Sequence, residues 1–176
     1  VYVLDNNAKP ESYYVSSGLK DRSTLLLQDV RDMAAIKSII KKYKIEYIFH
    51  LAAQALVTVA HGEPYETLDT NVMGTVSVLE AARLDPAVKG VLLASSDKAF
   101  GKNSFDVAED QPLAGDHPYD VSKSAADLIA QSYYNTYGTP VAVSRFGNIF
   151  GPGDLNSDRI IPGIMDTMIR GNILEL

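Results

Sequence analysis

The chain has 176 residues, 46% of them hydrophobic, and a formal net charge of −6. That length suits one domain. The negative charge disfavours binding to nucleic-acid phosphates, which calls for clustered Lys and Arg, and no apolar run approaches the ~20 residues of a membrane span. With no cysteine, disulfides, thiolate metal sites and cysteine nucleophiles are excluded, a composition that fits a reducing cytoplasm.

In chain order, Val1 to Leu4 reads as a strand. Residues 6–22 are polar, contain Pro10 and Gly18, and form a loop with room for a short helix. Ser23 to Gln28 is a strand, and Val30 to Tyr43 a helix with Asp29 as its candidate N-cap. The helix ends in Lys41-Lys42-Tyr43-Lys44, where cations suit the helix dipole. Glu46 to Ala53 reads as a buried strand, with His50 near the core. Pro64 to Leu84 is a long helix closed by Asp85-Pro86, and Val88 to Ser96 another strand. A polar loop from Lys102 to Pro118 leads into a helix at 119–137 that stops at Gly138. Val141 to Phe146 is the next strand, followed by the turn Gly151-Pro152-Gly153-Asp154. Strands alternating with helical stretches predict an α/β doubly wound (Rossmann-type) fold with a mainly parallel sheet.

Tyr119 and Lys123 stand four apart on the predicted helix and therefore one turn from each other on one face. An ammonium there would favour ionisation of the phenol, whose ordinary pKa is about 10, and a tyrosinate can take a proton from a sugar hydroxyl. By itself the pair is also what exposed helices carry by chance. Ser96 closes a strand ahead of that helix, where its hydroxyl can reach the same substrate oxygen. Asp97 and Lys98 follow at once. They are either a surface ion pair or an acid and a base, which loss of water needs together; a lysine acts as base only where burial or a neighbouring cation lowers its pKa. The strand end Leu51-Ala52-Ala53-Gln54 places small residues where open α/β sheets bind ligands, or serves close strand–helix packing. Asp29 can bond an adenine amino group or merely cap its helix. Asn71 sits mid-helix and is read as a brace for the neighbouring strand–loop backbone. His50, His61 and His117 have no metal-ligand spacing, so no metal is expected. No Gly-rich phosphate-binding turn occurs.

Six segments together resemble the extended short-chain dehydrogenase/reductase family of NAD-dependent nucleotide-sugar epimerases and dehydratases. They are Gln28-Asp29-Val30-Arg31-Asp32, Phe49-His50-Leu51-Ala52-Ala53-Gln54, Asn71-Val72-Met73-Gly74-Thr75, Ser95-Ser96-Asp97-Lys98, Tyr119-Asp120-Val121-Ser122-Lys123, and the run from Arg145 to Asp154. They follow in the family's order, nearly end to end. Asp97-Lys98, Glu109 to Gly115, and Gly153-Asp154 with Asp158 to Pro162 resemble the 4,6-dehydratases acting on CDP-glucose; 4-epimerases usually carry small or apolar residues at 97 and 98. Phe100 stands where a tyrosine is common.

The resemblance implies a cytoplasmic lyase, a nucleotide-sugar 4,6-dehydratase with tightly bound NAD, that forms a homo-oligomer. It implies Ser96, Asp97, Lys98, Tyr119 and Lys123 as catalytic residues. Asp29, Val30, Leu51, Ala52, Ala53, Gln54, Tyr119 and Lys123 would contact NAD, and Asn148 and Arg159 the nucleotide sugar. Residues 1–153 would be a partial NAD-binding domain and 154–176 the start of the substrate-binding region. The alternatives are a 4-epimerase and a non-catalytic NAD-binding or scaffold member. The chain is also expected to lack the first strand with its Gly-rich turn and the C-terminal substrate lobe, both encoded outside it; alternatively, another chain or a rearranged sheet fills the gap. In the order 3-2-1-4-5-6 the first strand is central. Val1–Leu4 and Glu46–Ala53 would then lack a neighbour, at about 1–3 kcal/mol for each buried unpaired group.

Overall fold

A computed structural model of the chain describes residues 1–7, 9–10, 12–102 and 106–172; residues 103–105 of the expected polar loop lie outside that set. The chain divides into two compact units. One comprises Val1–Val3, Asn7–Leu27 and Asn148–Leu176, and the other Leu4–Asn6 and Gln28–Gly147.

Strands β1 (Tyr2–Asp5) and β2 (Thr24–Leu27) pair with each other. Between them lie a four-residue helix, α1 (Tyr13–Ser16), and a 3-10 turn at Leu19–Arg22. Gly153, in the same unit as α1, has φ +91°, and a Cβ there would sit 2.5 Å from the Tyr13 ring. Glycine is required on both counts.

The larger unit is built on a three-stranded parallel sheet in the order β3-β4-β5, with β3 at Tyr47–His50, β4 at Gly90–Ser96 and β5 at Val141–Phe146. The strands therefore form two groups, which correspond to orders 3-2 and 4-5-6 of a doubly wound sheet. Among the described residues no strand takes the position of the first. Helices α2 (Met33–Tyr43), α5 (Gly74–Arg83) and α6 (Pro118–Tyr137) supply the core with β4. Ile36 and Ile40, Val78 and Ala82, Val91 and Leu93, Ala126 and Ala130 form one buried cluster. Each set follows its element's period, 3.6 for the helices and 2 for the strand.

Several boundaries differ from the sequence reading. Helix α2 starts at Met33 and is capped by Asp32, whose carboxylate accepts from the Ala35 amide at 2.9 Å. Asp29 is not the cap, because its carboxylate is bound by Arg31. The expected helix 64–84 is interrupted. Short α3 (Val57–Gly62) and α4 (Pro64–Leu68) precede a π turn at Asp69–Met73, and α5 continues from Gly74. Strand β3 ends at His50, and it is not buried throughout. Tyr47 and Phe49 are 62% and 69% exposed, because alternate side chains face opposite sides of a sheet and the helices of this unit cover one side. Helix α7 (Ile160–Ile169), in the smaller unit, has no counterpart in the sequence reading. Among the described residues no helix is long and apolar enough to cross a membrane.

Gly74 has a packing reason: a Cβ there would lie 2.6 Å from Cγ1 of buried Val30. Gly74→Ala should therefore destabilise the fold by roughly 1–3 kcal/mol through overpacking, read as a lower denaturation midpoint. An unchanged midpoint would mean that Val30 yields without cost.

Candidate active site

The carboxyl end of β4 gathers the reactive groups. The strand runs apolar from Val91 to Ala94 and then turns polar at Ser95 and Ser96, both buried. Ser96 caps a 3-10 turn at Asp97–Phe100, its Oγ accepting from the Lys98 amide at 3.2 Å. The turn is held from outside. The Ser124 hydroxyl donates to the Ala99 carbonyl at 2.9 Å, and the Arg145 guanidinium lies 4.9 Å from the Phe100 ring centre. Arg145 is fixed by the fully buried Asp127 at 2.7 Å.

Helix α6 opens on this strand end. His117 caps it through Nδ1, which accepts from the Tyr119 amide, and Pro118 occupies the first turn, a position where its missing N–H costs nothing. The Tyr119 phenol lies beside the Ser96 hydroxyl. One turn on, the Lys123 ammonium donates to the Ala94 carbonyl at 2.9 Å and lies 5.9 Å from the centre of the Tyr119 ring. Ser96, Tyr119 and Lys123 thus meet in one place. Asp97 and Lys98 adjoin them, with Ser96 Oγ 3.0 Å from Asp97 Oδ1 and the Lys98 ammonium 3.5 Å from Oδ2. Both side chains are about half exposed.

The electrostatics correct one expectation. Burial pushes the Tyr119 phenol above its ordinary value; the Ser96 hydrogen bond opposes this, and the charges of Asp120 and Asp97 add to it. The net shift is upward because burial dominates, and the Lys123 ammonium is turned to the Ala94 carbonyl rather than to the phenol oxygen. Burial in turn lowers Lys123 to about 8.

Gln54 is engaged throughout by the chain itself. Its side-chain amide bonds Leu56 and Thr67, and its backbone bonds Asn71. Leu51 and Ala52 are exposed and Ala53 is half-buried. Asp29 accepts from the Arg31 amide at 2.8 Å, from Nε at 2.9 Å and from Nη2 at 2.7 Å, and this hydrogen bonding holds its carboxyl below the usual range. Arg31 also binds Glu66 and Asp69. Val30 is a core residue, so only its backbone remains for a ligand. Asn148 and Arg159 belong to the smaller unit, where Arg159 pairs with Asp154 at 2.8 Å and with the Ile149 carbonyl at 2.6 Å.

The sequence reading quoted Arg31, Asp120, Ser122 and Arg145 only within matching segments, without a role, and did not name Asp127, the partner of Arg145. A signal existed for one further group: Thr67, Asn71 and Thr75 are polar residues at every fourth position of one helical stretch.

A parallel α/β unit with a serine at a strand end, and a tyrosine and a lysine one turn apart on the following helix, defines a nucleotide-binding domain of the short-chain dehydrogenase/reductase type. The chain belongs to the GDP-mannose 4,6 dehydratase family, whose profile it matches over residues 3–172. It is 34% identical over 175 residues to a CDP-glucose 4,6-dehydratase of Salmonella typhimurium, covering 93% of this chain and 48% of that protein. With a UDP-glucuronate 4-epimerase of Thermodesulfobacterium geofontis it shares 32% identity, over 78% of this chain and 44% of the relative. A crystal structure of a dTDP-glucose 4,6-dehydratase from Streptomyces venezuelae, with NAD bound, superposes with a TM-score of 0.86 at 28% identity, covering 99% of this chain and 54% of that one. The chain spans about half the length of the relatives it matches.

Two titrations follow from the buried groups. His50 is lowered to about 4, first by burial and then by the Lys123 charge. Thr75 Oγ1 gives its one proton to the Asn71 carbonyl, so His50 Nε2 donates to Thr75. A group lowered from 6.5 to about 4 makes stability fall as pH drops through that window. His50→Gln, which keeps a donor, should flatten the slope; an unaltered Tm–pH curve would refute the assignment. For Lys123 the penalty of burying charge is complete below pH about 8 and fades towards 10.5. Lys123→Met should therefore raise stability by roughly 1–3 kcal/mol at neutral pH, a gain that shrinks as pH rises through that range. Destabilisation at neutral pH would show that the Ala94 hydrogen bond outweighs burial.

Proposed function

We propose that this chain is the nucleotide-binding part of an NAD-dependent nucleotide-sugar 4,6-dehydratase, with CDP-glucose as substrate, working as a cytoplasmic homo-oligomer. The observation that carries the reading is the adjacency of Asp97 and Lys98 to the Ser96–Tyr119–Lys123 group at the end of β4. The similarity to a CDP-glucose 4,6-dehydratase supports it.

The residues present fit NAD. Asp29, held ionised by Arg31, suits the amino and hydroxyl groups of adenosine. The exposed backbone at Leu51 and Ala52 suits a ribose and phosphate, and Tyr119 with Lys123 the ribose hydroxyls beside the nicotinamide. NAD, when bound, accepts hydride from the sugar C4 and returns it to C6.

The Tyr119 anion takes the proton of the C4 hydroxyl, and Ser96 orients that oxygen. Burial raises the phenol's pKa and so makes its anion the stronger base. The resulting C4 carbonyl acidifies the C5 proton. Once the bound sugar excludes water from the Asp97–Lys98 ion pair, its proton passes from the ammonium to the carboxylate; neutral Lys98 then removes the C5 proton, and Asp97 protonates the departing C6 hydroxyl, which leaves as water. Lys98 then returns its proton to C5, and the proton held by Tyr119 restores that given by Asp97. The substrate loses one water with no net oxidation. Asn148 and Arg159 bind the nucleotide sugar.

The second reading is a 4-epimerase, favoured by the identity with the UDP-glucuronate enzyme. The full-length protein with CDP-glucose should give a product lighter by one water in mass spectrometry. An isomeric product supports the epimerase, and no turnover with several nucleotide sugars supports a non-catalytic role. Asp97→Asn should leave reduction of bound NAD nearly intact while slowing water loss by about 100-fold. Equal loss of both steps would remove Asp97 from the acid role.

A further inference from the structure

Thr67, Asn71 and Thr75 are 0%, 2% and 2% exposed, and together they line the path of the chain out of β3. Thr67 Oγ1 accepts from the Gln54 side chain at 2.9 Å, Asn71 bonds the Gln54 backbone, and Thr75 Oγ1 meets His50 at 3.0 Å. Residues four apart drift by about 40° around an α-helix, so two such steps would carry Thr75 well off the line of Thr67. The π turn at Asp69–Met73, wider than an α turn, takes that drift back.

At the centre of the stripe the oxygen and both protons of the Asn71 amide are engaged. Its Oδ1 accepts from the Gln54 amide at 2.7 Å, while Nδ2 donates to the Gln54 carbonyl at 3.0 Å and to Ser122 Oγ at 2.8 Å. Ser122 is fully buried on α6 and gives its single proton to the Tyr119 carbonyl at 2.7 Å. Only one orientation of the amide satisfies every partner. An unbroken line of hydrogen bonds thus joins the loop leaving β3 to the backbone of Tyr119.

We propose that Ser122, acting through Asn71, is a positioning residue that sets the Tyr119 phenol at a fixed depth against the loop leaving β3. The role rests on the dehydratase reading, since that loop and that phenol are its cofactor-binding and proton-transfer groups. Ser122 touches neither substrate nor cofactor; it locks the first turn of α6 to the segment that must meet the other end of the same reaction. The Ser124 hydroxyl, two positions on, bonds the Ala99 and Asp120 carbonyls instead, so the link to β3 belongs to Ser122 alone among the two.

The test uses the full-length protein. Ser122→Ala, and separately Asn71→Asp, which keeps the acceptor for Gln54 and loses both donors, should lower kcat by about tenfold. The KM for the nucleotide sugar should stay within about twofold, the pattern of lost alignment rather than lost binding. The double variant should be no slower than Asn71→Asp, because both act in one line. A lower Tm with kcat per folded enzyme unchanged, or losses that simply multiply, would overturn the proposal and leave a structural role. If the unsubstituted enzyme releases no water but its bound NAD is reduced by a nucleotide sugar, the dehydratase reading fails and the same variants are compared by that reduction rate. Where no nucleotide sugar reacts, NAD affinity serves. Both variants should then weaken NAD by about tenfold, and unchanged affinity would refute the positioning role.

Discussion

A single buried ammonium organises this structure. Lys123 reaches from α6 to the Ala94 carbonyl, two residues before the end of β4. Ala94 pairs with Ser144 of β5, while β3 stops opposite Leu93; the lysine gives the Ala94 carbonyl a charge-assisted bond. Because the bond comes from the second turn of the helix, it also dictates where the first turn lies, and so sets Tyr119 over Ser96. The same charge adds to burial in keeping His50 neutral. Burying it opposes folding, and nothing in the packing of the core asks for it.

Around that point the fold separates what packs from what reacts. The apolar cluster of α2, α5, α6 and β4 is built from aliphatic side chains and alanines. Towards the carboxyl end of β4 the buried residues change to serine, threonine, asparagine, histidine and lysine, nearly all with partners inside the chain. Polar groups buried in this way cost free energy unless their hydrogen bonds are met, and the bonds that meet them also fix their positions. Order at the site is therefore a consequence of satisfaction rather than of shape alone.

Arg145 shows how one residue serves both roles. Its charge is neutralised by Asp127, which has no exposure at all, and the pair joins β5 to α6. Its flat face stacks on Phe100, which steadies the turn bearing Asp97 and Lys98. The ring at position 100 matters for that contact, and a hydroxyl on it does not. A phenylalanine at position 100 is accordingly sufficient for that contact.

The sequence by itself determined the class of fold and the main reactive groups. Apolar runs of strand length alternating with helical periods suffice for a parallel α/β unit, and β5 and α6 fall almost where the pattern puts them, because local propensity and burial agree there. The i, i+4 spacing of Tyr119 and Lys123 is a property of any helix, so their shared face needed no structure. Tertiary structure decided what depends on distant partners. Asp29 lost its capping role to Asp32 because Arg31 claims its carboxylate. The long helix broke at a π turn because Asn71 must reach both Gln54 and Ser122, residues 17 positions before and 51 after it. The Tyr119 phenol moved up rather than down because burial acts on it and Lys123 turns towards Ala94. Periodicity records which side of an element faces inward. It carries no information about which buried group, many residues away, will claim a given hydrogen bond.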